Sequence, residues 1–319
     1  FDYINGKTVF TPRFNGAISF LSETVTLRGG WGITAKAPTA VYLYPEKAYF
    51  NYNNYYYDGT GDIVSTIRVF DPTNPDLEIA KNRKAEVGVD LKLFNKYRLS
   101  VTAYDELMKN GYTLGSSIET YQLIEYTRYN AVRNEEGNFV PQLDRTYNIF
   151  SSYATPQNNA YAHNRGLEFD LDLGRFNAIR TAFTISGAYM KSVYKNQGHH
   201  FRTNSDGNKL EKHIGIHEKG LYTRCKDRLI STIRITHNIP QIGFVVTLAT
   251  QINWLEKFWT EYGDDTMFTQ YISYKDGKVH DFDPAWRNDP EYAYMFPSLS
   301  DTRFIAEQDR KSTRLNSSH

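Results

Sequence analysis

Long apolar runs are missing from this 319-residue chain. None approaches the about eighteen residues that a membrane-crossing helix needs, so a transmembrane helix is not expected. Cysteine is almost missing too. Cys225 is the single one, which excludes an internal disulfide and says little about redox compartment. Neither sign of charge dominates: 37 Lys+Arg stand against 36 Asp+Glu, so nothing in the balance argues for a nucleic-acid or acidic-membrane partner. No nucleophile elbow, phosphate-cradling loop or zinc-protease helix can be found. The chain is therefore not expected to be an enzyme, and no catalytic residue, metal ligand or cofactor is assigned. It opens on FDYINGK, with neither Met nor signal peptide, as an internal fragment or processed piece would.

Aromatic side chains and period-two alternation are what the chain has in quantity. Aromatics are 15% of the residues and 25 of them are Tyr, an amphipathic ring suited to sheets and interfaces. The clearest alternation is RKAEVGVDLKLFNKYRLSVTAYDELMK, from Arg83 to Lys109. Ala85, Val87, Val89, Leu91 and Leu93 fall on one face, and Lys84, Glu86, Asp90 and Lys92 on the other. After a short turn at Asn95-Lys96, Tyr97, Leu99, Val101 and Ala103 resume the apolar face. Two alternating runs across such a turn make an antiparallel hairpin. Its arms, roughly ten residues or more, are long enough to cross a bilayer as tilted β-structure.

The same unit recurs. Arg13 to Ser22 pairs with Thr24 to Thr34, His163 to Leu173 with Ile179 to Met190, and Leu229 to Asn238 with Ile242 to Trp254. Turns are expected near Glu23, Asn95, Arg175 and Pro240. Long loops are expected over 35–82, 110–161 and 195–220, with Tyr112 to Arg128 as a strand continuing beyond the membrane. Short turns alternating with long loops through about eight strands are the rhythm of an outer-membrane barrel. The expected fold is thus all-β: an antiparallel up-and-down transmembrane β-barrel segment, a partial barrel of eight or more strands over residues 1–308. The last stretch, DRKSTRLNSSH, has neither alternation nor aromatics. It looks like translated adaptor sequence and is set aside from about Asp309 onward as a non-native tail.

Three stretches together resemble the later barrel half of TonB-dependent outer-membrane receptors. WGITAKAPT, Trp31 to Thr39, is similar to that family's aromatic-Gly strand end running into an Arg-Ala-Pro element, with Lys36 in place of the Arg. NPDLEIAKNRKAEVGVDLKLFNKYRLSVTAYD, Asn74 to Asp105, resembles its Asn-Pro-x-Leu lead into an E-x-G-x-D strand, with Ile79 where a Pro is common. NRGLEFDLDL, Asn164 to Leu173, resembles its N-x-G-x-E strand start. The family's plug domain, TonB-contacting box and terminal aromatic strand are not recognised in the chain. The resemblance implies a receptor in the outer membrane of a Gram-negative bacterium. Its extracellular loops capture a scarce nutrient (ferric chelate, cobalamin or oligosaccharide), and energy from the inner membrane displaces the plug. Implied partners are the lipid bilayer, the plug and TonB, a small-molecule or oligosaccharide ligand, and a surface lipoprotein. A passive porin and a soluble glycan-binding β-sandwich are the rival readings.

Candidate substrate-binding residues are Tyr55, Tyr56 and Tyr57, whose rings can stack on a sugar or an aromatic chelator, together with His199 and His200 in the His-bearing loop. A membrane-interface girdle, or rings packing loop against loop, remains the other reading of the tyrosines. Trp254 is assigned to the girdle, as the end of a strand. His213 and His217, beside Glu211 and Glu218, have the spacing of two ligands on one helix face. With no element evident to hold that geometry, they are expected in a solvated polar loop. Glu86, Asp90, Glu168, Asp170 and Asp172 alternate with apolar residues and are expected on a wetted barrel wall or a surface facing the plug.

Overall fold

A computed structural model describes residues 6–94, 96–203, 212–217, 222–262 and 270–295. Asn95, Glu211, Glu218 and the tail from Asp309 lie outside these. Eight long strands form one antiparallel sheet in the order β1-β2-β5-β6-β9-β10-β13-β14. They are β1 (Arg13–Phe20), β2 (Val25–Lys36), β5 (Ala80–Leu93), β6 (Tyr97–Gly115), β9 (Thr155–Phe176), β10 (Thr181–Asn196), β13 (Tyr222–Ile239) and β14 (Phe244–Tyr262). Sequence neighbours in this set are neighbours in space, the meander of an up-and-down barrel wall. Four short turns close one end, and the connections 37–79, 116–154 and 197–221 emerge at the other.

Alternation decides the two faces. Each outward residue pairs with an outward one, so Leu27, Val89, Val101 and Phe169 lie in one row across four strands. These apolar residues are not covered: Val87 is 63%, Leu167 47% and Leu248 59% exposed. A soluble sandwich buries such a face against a second sheet; here the eight-stranded sheet stands as a single layer. The outward run from Leu93 to Ala85 covers eight residue steps, about 27 Å along the strand. Tilted as barrel strands are, that is about 20 Å of apolar height, close to an outer-membrane band.

Strands extend further than alternation alone indicated. β6 continues to Gly115, β9 begins at Thr155, and Arg175 and Phe176 still pair with Ala182 and Thr181, which moves the expected Arg175 turn to residues 177–180. The long connections are themselves hairpins: β3 (Ala48–Tyr57) with β4 (Asp62–Phe70), and β7 (Tyr121–Arg133) with β8 (Phe139–Ser152). A smaller sheet joins β11 (His200–Arg202), β12 (Ile214–His217), β15 (Gln270–Ile272) and β16 (Val279–Asp281). The stretch from 35 to 82 is therefore not an open loop. Its strand AYFNYNNYYY alternates Tyr with Asn, and the contrast between a ring bearing a hydroxyl and an amide is too weak to read as amphipathic.

Buried apolar clusters sit in these outer elements. Tyr52, Ile124, Tyr126 and Ile149 form one, Phe150, Ile214, Ile216 and Ile272 a second, and Tyr271, Phe282 and Met295 a third. The lead into β5 is fastened by side-chain hydrogen bonds together with burial. Asn74 Nδ2 donates to the Pro156 carbonyl (2.8 Å), and Leu77 is 1% exposed. Asn158 takes the Glu78 amide at 2.7 Å while its own amide donates to the carbonyls of Glu78 and Asn110.

Val89→Arg places a charge mid-way along the outward apolar run, and should cost about 2–4 kcal/mol of folding into bilayers. Enlarging Val87, Val89 and Val101 together to Leu should be tolerated, because fluid lipid has no fixed shape to violate; a packed core would lose about 1–3 kcal/mol. Equilibrium folding of the full-length receptor into vesicles measures both.

Candidate functional site

On the inward face, Arg28 of β2 organises the wall. Its guanidinium crosses β5 above Gly88, where a Cβ would stand 2.9 Å from Arg28 Cζ. Nε donates to Asp90 at 3.1 Å, and the far nitrogen donates to Ser100 at 2.9 Å and Thr102 at 2.5 Å on β6. A side chain at 88 would displace the Arg28 guanidinium from this path, so glycine leaves the crossing open by its small size and not by backbone conformation. Beyond β6 the row Asp90, Ser100, Asp170, Ser186, Thr232 continues in register across five strands. Ser100, Asp170, Ser186 and Thr232 of that row, with Arg28, Glu86 and Glu168, line a cavity of about 470 Å³. Glu86, Asp90, Glu168, Asp170 and Asp172 all fall on this inward face.

A second cavity, of about 560 Å³, opens at the loop end of the sheet. The inward residues Tyr194 and Asn196 of β10 and Tyr222 and Arg224 of β13 line it, with Tyr112, His199 and His200. Tyr194 and Arg224 are direct cross-strand partners. The Tyr222 ring meets His200 edge-on at 5.0 Å, and His199 Nδ1 lies 3.1 Å from the His217 carbonyl, which it faces as donor. Among the described residues no carboxylate lines this cavity. The chemistry on offer is ring faces, an Arg cation and neutral or charged imidazoles.

His199 and His200 thus join a common cavity, and Tyr55, Tyr56 and Tyr57 do not share it. Tyr55 is 3% exposed, and Tyr57 stacks at 4.3 Å on Phe139; only Tyr56, 57% exposed, presents its ring outward. The sequence reading missed Tyr194, Tyr222 and Arg224, although their even parity placed them on the inward face. Trp254 does not end its strand. It is the extra residue of a bulge within β14, facing outward with its indole N–H donated to Ser231 at 2.7 Å.

His213 and His217 are neither helical nor solvated. Each is 1% exposed, and residues 214–217 are a strand. His213 Nδ1 accepts from the Tyr274 amide at 3.2 Å, so Nε2 carries the proton and donates to Glu291 at 2.9 Å. Lys275 reaches the same carboxylate oxygen at 2.8 Å. Tyr271, Tyr274 and Tyr292 enclose the imidazole, with ring centroids 4.8 to 5.2 Å away. Burial holds the His213 pKa below its ordinary value, and the Lys275 and His213 bonds lower that of Glu291. Among the described residues no cluster of His, Cys, Asp or Glu could hold a metal ion. The solvated reading fails because Ile214 and Ile216 drive the strand inward, and the imidazoles go with it.

These observations define a class: an outer-membrane type of β-barrel wall, apolar outside and polar inside, carrying folded loops at one end. The family described as TonB dependent receptor-like, beta-barrel matches residues 1–295. The chain belongs to that family, whose role is that of outer-membrane receptor and transporter. A search of curated proteins finds no match.

The depressed His213 value fixes a pH dependence. An imidazole with a folded pKa below the ordinary 6.5 is charged first in the unfolded segment, so its stabilisation is complete above that value. It is lost as pH falls below it. Amide exchange over Ile214–His217, corrected for intrinsic rates, should accelerate from about pH 7.5 to about pH 5.5. His213→Phe should flatten that dependence.

Proposed function

We propose that this chain forms the wall and outer vestibule of a receptor for TonB-dependent uptake of a scarce nutrient across the outer membrane of a Gram-negative bacterium. The observation that carries it is the inward-facing cavity at the loop end, where Tyr194, Tyr222, Arg224, His199 and His200 converge with no carboxylate among the described lining residues. Such a lining takes a ligand that bears negative charge and a ring or hydroxyl face. Among the family's nutrients, this favours an anionic ferric chelate over a neutral oligosaccharide. Tyr56, exposed on β3, is the further candidate contact.

The Arg28 wall serves the next step. A plug filling the lumen meets Arg28 with its partner Asp90, and Glu86, Glu168 and Asp170, a mixed-charge surface whose polar contacts exchange with water when the plug moves. Weak, solvated pairs suit that role, since each is worth about 0–1 kcal/mol and none locks the plug. TonB acts on the plug and not on this wall. The hairpin β3–β4 leaves Tyr49, Ile67 and Val69 exposed on one face, a surface that suits a lipoprotein partner.

In the full-length receptor, Arg224→Ala and Tyr194→Ala should each lower uptake of one nutrient class by about tenfold or more, the scale of a lost charge-assisted or stacking contact. Outer-membrane assembly should be unchanged. Radiolabelled ferric chelates, cobalamin and oligosaccharides are compared in whole cells. Unaltered uptake of all three removes the cavity from the pathway.

A further inference from the structure

Strands at the edges of the loop sheets are guarded against pairing with another chain, with one exception. β11 and β16 are three residues long. β8 carries Pro141 and, at Asp144, the extra residue of a bulge; β3 has its own bulge at Asn54. β3 and β7 also block one another, since Tyr126 donates its hydroxyl to the Asn53 carbonyl and Asn54 Nδ2 donates to the Thr127 carbonyl. β4, DIVSTIRVF, has none of these guards. It is nine residues without Pro, Gly or Lys, it pairs on one side with β3, and no strand among the described residues pairs its other side. Ile63 is 55%, Val64 41% and Ile67 61% exposed. Such an edge presents a row of unmet N–H and C=O groups to any strand that matches it.

A second copy of β4 matches it. A two-fold axis keeps each face of a strand on its own side, so odd residues can meet only odd ones, and even only even. With Ser65 opposite its own symmetry mate, Asp62 faces Arg68, Ile63 faces Ile67 and Val64 faces Thr66, each twice. Sliding the pair by one permitted step sets Arg68 against Val64 or Thr60 and loses both ion pairs. Within one chain these charges are not used on each other. Asp62 and Arg68 are exposed and make no ion pair among the described residues. Arg68 lies back on the Ile67 carbonyl at 3.2 Å, and Asp62 accepts from the Thr60 hydroxyl at 2.6 Å.

We propose that β4 is a homodimerisation edge: two copies of this chain pair their β4 strands antiparallel about Ser65. The two β3–β4 hairpins become one four-stranded sheet in the order β3-β4-β4-β3. About six to eight backbone hydrogen bonds form over residues 62–68, flanked by two Asp62–Arg68 ion pairs. Charge complementarity repeated by the symmetry selects a second copy over a foreign strand. The pairing uses the edge of β4 and leaves the face carrying Tyr49 and Val69 open. It involves no residue of the nutrient cavity and is independent of which nutrient is carried. An interface this small belongs to the transient class, so the pair has to be trapped covalently.

The test places Ser65→Cys in the full-length receptor together with Cys225→Ala and oxidises intact cells with copper phenanthroline. Directly opposed residues of antiparallel strands fall within the Cα separation of about 4.4–6.8 Å that a disulfide spans. A disulfide-linked homodimer should form about tenfold or more efficiently than from Ile63→Cys or Ile67→Cys alone, whose symmetry mates lie about 13 Å away along the edge. Ile63→Cys and Ile67→Cys combined in one chain should recover the dimer. Arg68→Asp should lower the Ser65→Cys dimer about tenfold by setting carboxylates opposite each other, and adding Asp62→Arg should restore it. Barrel assembly is read separately from the mobility of the unheated protein on a gel. An assembled Ser65→Cys receptor that stays monomeric overturns the proposal. Equal dimer from all three single cysteines reduces the contact to random collision and overturns it too. A disulfide-linked adduct with a different protein gives the edge to another occupant and overturns the second copy.

Discussion

A peptide group in hydrocarbon has no water to bond, and everything in the eight-stranded sheet follows from that. Each backbone N–H and C=O in the wall must be met by a neighbouring strand. Unbroken registers such as Arg98 to Met108 against Ala162 to Asp172 meet that need strand by strand. The edges at β1 and β14 impose the same demand on whatever strands complete the ring. The apolar side chains have no such demand on shape. Lipid accepts Val87 or Leu248 without a matching surface, so the wall needs no buried core of its own.

Outside the hydrocarbon the balance changes. Water competes for the backbone there, and the loops are held as small soluble domains are, by buried Tyr, Ile and Phe clusters and by directed polar bonds. Asn74, Asn110 and Asn158 replace ladder bonds where the chain enters β5, with Asn110 both accepting the Lys81 amide and donating to the Ile79 carbonyl. This gives the Asn-Pro-x-Leu stretch a physical meaning: the Asn fastens, the Leu buries, and the Pro is spared a ladder bond it could not make. Two kinds of stabilisation thus meet along one chain, and the cavity proposed for ligand capture sits at their junction.

The junction is also where sequence reading gave out. Inward and outward faces of β5, β6, β9 and β14 were legible because a two-residue period separates Val and Leu from Asp, Glu and Lys. The hairpins β3–β4 and β7–β8 were not, because Tyr, Asn, Thr and Arg lie on both faces of a strand that is wet on one side and packed by rings on the other. His199 and His200 could be chosen as candidates from their loop, but Tyr194 and Arg224 lie beyond the strand ends read at Met190 and Leu229, where the alternation weakens. His213 and His217 were taken for solvated residues, since two imidazoles four apart carry no mark of the isoleucines that pull them inside.

By itself the sequence determined that this chain is all-β, that its strands are long enough to span a bilayer, and which side chains face lipid. Those properties are local: the pleat turns successive residues to opposite sides whatever the rest of the chain does. Only the tertiary structure decided that Arg28 reaches over Gly88 to Ser100 and Thr102. Only it brought His200 beside Tyr222, and Lys191 and Lys257 to the Trp259 ring. Each of these joins residues from different strands, at distances set by register, and register is fixed by pairing across the whole sheet, which no single segment contains.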